Sequence, residues 1–424
     1  MTARRHKFLT LGVFFSLFLL PMASRAQVSL AATSGTASGT FTTLNAAFTA
    51  INAGTHKGAI TITITANTSE PTTPVPLLAS GTGSSSYTSI NIGTSGNDTI
   101  FSASSPSANR GIVELAGADN VTIDGDDPNT AGIQRALVIL AATGTTTGVA
   151  CIRLSSNSTS GTDGADNNIV KNCVLIGSSN SATAAPTSYG IQFANGTSTS
   201  SSGTGAYNSQ NTLIQNNEIY RCYYGINARG GSTTYAIPNT VIKGNIIGKS
   251  DTSYNVTNYG IYLYYTSTVI SNAILITDND IQVGEASIGI NTNIGGVYLS
   301  SYNTGAVIRN NNIHNVANPS TGGWGAYGIA LTSSSGMDSI KIFNNFIRDI
   351  TATGYTTGIP TSYENFGIFI SSVGVGLMIN HNTIFLNAPN STNLSSSNTS
   401  SACIQFSSSS YTASSILNNI LVNN

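Results

Sequence analysis

The chain has 424 residues, carries a net charge of −1, and only 8% of it is charged, against roughly a quarter in ordinary globular chains. With no basic stripe there is nothing to neutralise a phosphate backbone, which argues against nucleic acid as a partner, and serine, threonine and asparagine must do most of the solvating. The length suits two or three ordinary domains or one long solenoid.

Arg4, Arg5, His6 and Lys7 precede an apolar run at 8–20 and then Ser24-Arg25-Ala26, the layout of a secretory signal peptide spanning 1–26. The run is short for a membrane span and no later segment approaches one, so a secreted, extracellular or cell-surface location without a membrane span is expected. Residues 27–58 form an N-terminal segment. Within it Leu44, Ala47, Phe48 and Ile51 recur at helical spacing, with Thr42 or Thr43 as N-cap and Gly54 as stop, predicting a helix at about 42–53. A helix there would cap the open end of whatever follows. Ile60, Ile62 and Ile64, alternating with threonines, predict the first obvious strand, and two more are expected around Val113/Leu115 and Val121/Ile123.

From residue 170 onward two motifs alternate. The first is apolar-x-x-Asn-x-apolar, with its asparagine at Asn217, Asn245, Asn279, Asn311, Asn345, Asn382 and Asn419, and successive copies are 28, 34, 32, 34, 37 and 37 residues apart. The second is Gly-apolar-x-apolar, starting at Gly190, Gly225, Gly260, Gly296, Gly328 and Gly367, with Cys151 and Cys403 in the glycine slot of two further copies. Neither has helical spacing; both alternate apolar and polar residues and are rich in isoleucine, so both predict short strands with one buried face. The same strand returning in the same direction after a long connection predicts parallel pairing and a coil, a parallel β-helix rising about 4.8 Å per turn over 59–424. In such a coil the repeated asparagine points inward and stacks on its copies, a structural ladder whose amides satisfy one another. Asn310 and Asn312 are expected at less constrained positions beside it. Cys173 takes the ladder slot in the first clear repeat, and the scattered placement of the four cysteines predicts buried thiols and no disulfide.

The cap helix, the "DNVTIDG" turn at 119–125 and the two alternating motifs resemble the right-handed parallel β-helix proteins of the pectate-lyase-like superfamily, in particular its large exported bacterial members. The resemblance covers about 40–424. It implies an all-β, single-stranded right-handed solenoid, and leaves activity open among polysaccharide lyases, glycoside hydrolases, esterases, tailspikes and adhesins. The Asn-Thr-Asp, paired Asp, Gly-His-Gly and Arg-Ile-Lys motifs of the family's polygalacturonan hydrolases are not assembled here. Asp126-Asp127 is an acid pair without the partner motifs, and no aspartate cluster suggests calcium or another metal; no cofactor is implied.

The residue after each ladder asparagine should face outward, which sets Glu218 and Asp280 two turns apart with Ile246 between them, at the edge of the spacing used by inverting glycosidases. His314 should stand, exposed, beside Arg348 and Phe385, with Gln282 on its other side and Arg309 nearby. These four, Glu218, Asp280, His314 and Arg348, are the catalytic candidates. In the glycine motif Tyr262, Tyr298 and Phe369 should face outward with Tyr264 one step along, giving rings that could receive sugar faces, or that simply pack on one another. Missing motifs and scarce charge favour an exported scaffold or adhesin-like protein that binds polysaccharide or cell-surface glycan weakly on its outer face, and lean against an enzyme. The alternative is a polysaccharide lyase or glycoside hydrolase with loop-borne catalytic groups. Residues 416–421 complete an ordinary repeat without a polar cap, so further domains or another chain are expected to follow that end.

Overall fold

The computed structural model describes residues 26–424 apart from 103, 105, 145, 158–162, 179–187, 197–207, 252, 285–289, 321, 323, 353–364, 388–400 and 408–409. The expected signal segment thus lies outside the described residues except for its last, Ala26. Three sheets of thirteen, eleven and ten strands run the length of the coil among the described residues. One turn shows the plan: Leu213–Gln215 lies in the first sheet, Glu218–Tyr220 in the second, Cys222–Arg229 in the third, and Val241–Lys243 re-enters the first one turn on. Neighbouring turns pair in parallel and in register, Ile214 with Ile242, Ile242 with Ile276 and Ile276 with Ile308. The isoleucines of all three sheets meet in one continuous buried core.

The asparagine column occupies the corner between the first and second sheets. Asn217 Nδ2 donates to Asn245 Oδ1 at 3.0 Å, Asn245 to Asn279 at 2.9 Å, and Asn279 to Asn311 at 2.9 Å. The pattern runs on through Asn345 and Asn382 to Asn419. Each Oδ1 also accepts the backbone N–H of the asparagine one turn earlier, as in Asn245 N to Asn279 Oδ1 at 3.0 Å. Cys173 ends the column, its N–H donating to Asn217 Oδ1. All four cysteines are free and buried.

Asn310 is more constrained than the sequence suggested. The residue before every rung is left-handed: Asn172, Asn216, Gly244, Asp278, Asn310, Asn344, His381 and Asn418 all have φ between 53° and 64°. That conformation turns the chain sharply enough to aim the next side chain inward, and Asn, Asp, His and Gly are the residues that tolerate it. In the run Asn310-Asn311-Asn312 the first residue makes the bend, the second the rung, and the third begins the outward face of the next strand.

The two motifs lock together. A Cβ on Gly260 would lie 2.5 Å from Ile281 Cγ2 and 2.7 Å from the carbonyl oxygen of Gly296, and Gly225, Gly296, Gly328 and Gly367 meet the same pair of obstacles. The isoleucine two places past each rung therefore fills the space that a side chain in the glycine slot would need.

At the N-terminal end β1 (Val28–Gly35) pairs antiparallel with both β2 (Ser38–Phe41) and β3 (His56–Ile64), a local hairpin absent from the sequence reading. Between them α1 (Leu44–Asn52) starts at Thr43, whose side chain accepts from Ala46 N, and ends before Gly54 at φ 71°. Leu44, Ala47, Phe48 and Ile51 are buried against the first strands of the three sheets, so this helix caps the core. The carboxylate of Glu70 accepts from the N–H groups of Leu44 and Asn45 at 2.9 and 3.0 Å, satisfying donors that a helix start leaves open.

Candidate functional site

The outward face of the second sheet carries polar and aromatic side chains on an accessible surface. Strand alternation puts Glu218, Ile246, Asp280, Asn312, Phe346 and Thr383 in one column, each in register with the next. Tyr220, Gln282 and Arg348 follow in the outward position two residues further along their strands.

Glu218 is engaged from two sides. Arg135, brought in by the insertion between Gly125 and Leu137, donates from Nη1 to Glu218 Oε1 at 2.8 Å and from Nε to the Asn216 carbonyl at 2.8 Å. The Tyr220 hydroxyl donates to Glu218 Oε2 at 2.7 Å. Burial, together with that carboxylate, pushes the Tyr220 hydroxyl well above its usual range and keeps it protonated. Lys249 Nζ stands 5.7 Å from the Tyr220 ring centre and 5.9 Å from that of Tyr254, which is 38% exposed.

Asp280 has its own partners. His314 Nε2 lies 2.7 Å and Asn312 Nδ2 2.9 Å from the same Oδ1, and the His314 hydrogen bond is the main cause that holds the carboxyl below its usual pKa, against the opposing effect of burial. His314 is not the exposed side chain expected beside Gln282: it is only 7% exposed and turned toward Asp280. A bulge lies beside it. Asn315, at φ 51°, is an extra residue between the paired positions Ile313 and Val316, and its amide, not the imidazole, reaches Gln282 at 3.3 Å. The other ring nitrogen, Nδ1, is buried without a hydrogen-bond partner. His314, Arg348 and Phe385 do share a register. Arg348, however, pairs with Asp349, and its guanidinium lies 5.7 Å over Phe346, which is 42% exposed. Arg309 belongs to the first sheet, between Thr277 and Phe343, and takes no part. Glu218 and Asp280 are therefore two separately satisfied carboxylates with Ile246 between them.

The aromatic candidates lie on the third sheet. Tyr262 and Tyr298 are in register with ring centres 5.9 Å apart and planes 15° apart, and Tyr264 is 6.4 Å from Tyr262 beneath the guanidinium of Arg229. They face outward from the sheet but pack on its other rings. Tyr298 leans to 4.4 Å from Tyr259, where Gly295 occupies the aromatic slot and leaves room. Phe369 is only 8% exposed, stacked 4.9 Å from Tyr327 and 5.3 Å from Phe366. The column continues backwards through Asn227, Gln192, Arg153 and Glu114, all buried. It is a packed seam, not a flat open platform.

Carboxyls with raised pKa occur elsewhere. Asp119 is pushed up to about 6, first by burial and then by the charges of Asp166 and Asp163, against the effect of the Asp166 N–H that it accepts. Asp126 and Asp127 cap their own turn, accepting from the N–H groups of Gln134 and Asn129 respectively. Among the described residues no group of three or more histidine, cysteine or carboxylate side chains is placed to hold a metal, and no helix is long and apolar enough to cross a membrane.

Sequence reasoning picked out Glu218, Asp280 and His314, placed His314 beside the wrong neighbours, and missed the partners of Glu218. Tyr220 was legible, two places past Glu218 on an alternating strand. Arg135 was not, since 83 residues separate it from the carboxylate it meets.

Three sheets of parallel, in-register strands coiled around one core, with inward amide rungs and polar outward columns, define the class as a right-handed parallel β-helix. Among solved structures the chain is similar to the Dettilon tailspike protein gp208 (12% identity, TM-score 0.39), covering 87% of this chain and 64% of the tailspike, so it spans about two thirds of that protein's length. It is also similar to the A-module of the Azotobacter vinelandii mannuronan C-5 epimerase AlgE4 (13% identity, 90% and 93% covered, TM-score 0.39) and to the periplasmic alginate epimerase AlgG (13% identity, 86% and 88% covered, TM-score 0.35). No family model and no curated protein sequence matches the chain.

Proposed function

We propose that the protein is an exported β-helix that binds glycan on the outward face of its second sheet and acts as a scaffold or adhesin. The observation that carries this is the accessible stripe in which two exposed rings, Phe346 on the sheet and Tyr254 on the loop that leaves it, stand among fixed hydrogen-bonding groups, Glu218, Asp280 and Arg348. Rings receive the C–H faces of sugars, and carboxylates held by neighbours accept hydroxyl protons without having to be ordered on binding. Hydrolysis with a carboxylic acid as proton donor is less well served, because Asp280 is held ionised and Glu218 already accepts from Arg135 and Tyr220. A glycan array probed with the full-length protein tests the proposal. Binding should appear and should be lost in the double variant Tyr254→Ala, Phe346→Ala; retention of binding in that variant refutes the assignment of the stripe.

A second reading, a polysaccharide lyase or glycoside hydrolase, rests on one feature, the carboxylate-oriented imidazole of His314 with its second nitrogen unpartnered; that nitrogen is buried, so this reading requires a substrate to uncover it before it can act as a base. Release of unsaturated or reducing-end products from acidic polysaccharides, with calcium present, would put that reading first.

A further inference from the structure

A cavity of about 310 Å³ opens at the corner where the third sheet gives way to the first, far along the coil's circumference from the stripe, and three successive turns wall it. Its floor includes Gln210, whose Nε2 and backbone N–H both donate to Asp166, at 2.9 Å each. One wall is the loop carrying Thr233 and Thr234; the other carries Thr268, Val269 and Asn272. Backbone hydrogen bonds tie the walls across turns. Asn211 N donates to the Pro238 carbonyl at 3.0 Å, Ile237 N to that of Tyr265 at 3.3 Å, and Asn239 N to that of Asn272 at 2.9 Å. The Ser267 hydroxyl closes a tight turn with Val269, accepting from its N–H at 3.1 Å and donating to its carbonyl at 2.6 Å.

We propose that this cavity is a second carbohydrate site, one that takes a neutral sugar ring. Among the described residues no Lys, Arg, Asp or Glu lines it, so a carboxylated or sulfated sugar would lose hydration there without gaining a counter-charge. Threonine hydroxyls and the Gln210 and Asn272 amides supply both donors and acceptors, matching the mixed hydrogen bonding of sugar hydroxyls. The apolar part of the match is the lip: Val269 is 48% exposed and Ile270 beside it 57%, an aliphatic edge suited to the C–H face of a ring. The volume stands at the lower end of the ~300–1,000 Å³ range of small-molecule sites. Walls fixed by the backbone mean that little must be ordered on binding.

The site is separate from the second-sheet stripe, and the test keeps the two apart. Calorimetric titration of the full-length protein uses glucose- and mannose-based neutral tetrasaccharides and, as the anionic probe, tetragalacturonate, against the wild type, Thr234→Trp and Phe346→Ala. Thr234 is exposed, so the tryptophan fills the cavity without entering the core. A neutral tetrasaccharide should bind the wild type and Phe346→Ala alike and bind Thr234→Trp about tenfold or more weakly; tetragalacturonate should be indifferent to Thr234→Trp. The proposal is overturned if no neutral tetrasaccharide binds the wild type, if Thr234→Trp leaves that binding intact, or if the cavity variant loses the anionic probe instead. Loss of binding in Phe346→Ala alone speaks to the stripe and rules out the cavity as the site measured.

Discussion

Replacing one rung of the ladder, Asn279→Ala, gives the most direct measure of what holds the turns together. The Asn279 side chain accepts from the backbone N–H of Asn245 at 3.0 Å and from its Nδ2 at 2.9 Å, and donates to the carbonyls of Ile242 and Thr277, both at 3.0 Å, and to Asn311 Oδ1 at 2.9 Å. Truncation removes all five bonds. Most partners keep another: Asn245 Nδ2 still reaches the Ile214 and Lys243 carbonyls, and Asn311 Oδ1 still accepts the N–H of residue 279. The Asn245 N–H does not, and it is buried. An orphaned buried donor costs about 1–3 kcal/mol and the remaining net losses add roughly 1 kcal/mol each where no partner is regained, so a destabilisation of about 3–5 kcal/mol is expected. Asn312→Ala supplies the control: it removes an outward amide whose bond is to half-exposed Asp280, and should cost about 1 kcal/mol or less. Urea unfolding followed by far-ultraviolet circular dichroism gives the difference, and native-state hydrogen exchange should show lost protection at the amide of residue 245. If the two variants unfold within about 1 kcal/mol of each other, the ladder does not carry the load argued for it.

Other expectations follow from neighbouring features. Gly260→Ala should lower stability by about 1–3 kcal/mol, because the new Cβ meets Ile281 Cγ2 and the Gly296 carbonyl, whereas Gly96→Ala, with open space around it, should be near neutral in thermal melts; equal effects would count against the interlock. Asp119→Asn should change the pH profile of stability. The folded state raises the wild-type carboxyl to about 6, so protonation is favoured in the fold and stability falls as pH rises from the unfolded value near 4 through about 6; the asparagine variant should keep only the shallower slope due to Asp163 and Asp166, whose carboxyls burial also raises, and parallel melting curves from pH 4 to 8 would contradict this. His314→Phe should raise the Asp280 pKa toward the ordinary carboxylate range, since the imidazole hydrogen bond is the first cause of its depression. The wild-type stabilisation is present above the unfolded carboxyl pKa and lost as pH falls through the folded one, and carboxyl carbon NMR titration should find that window narrowed in the variant.

Much of the architecture was legible because a solenoid repeats its constraints. Each rung, each glycine and each isoleucine meets the same neighbours one turn away, so the pattern is written into the chain several times over. Features that occur once were not legible. The β1–β2 hairpin has no second copy, and its Ser, Thr and Gly residues look like those of the loops. The register shift at Asn315 appears only against the preceding strand, since Asp349 matches Asn315 one turn on, and His314 beside it turns from solvent to Asp280. The bend residues were visible in type but varied among Asn, Asp, His and Gly, so the shared property, tolerance of positive φ, was hidden by the lack of a shared letter. For the candidate site, alternation gave the outward column and therefore Glu218 and Asp280. Arg135 arrives from an insertion, which no periodicity governs.

The ladder also has a direction. From Asn217 through to Asn382 each amino group donates to the rung of the turn after, and each oxygen from Asn245 to Asn419 faces the turn before. Seven small dipoles thus add head to tail along the axis of an almost uncharged body, each strengthening the next bond in the chain. The fibre-like core is electrically polar, and a turn spliced in with its amide flipped would set oxygen against oxygen on one side and donor against donor on the other.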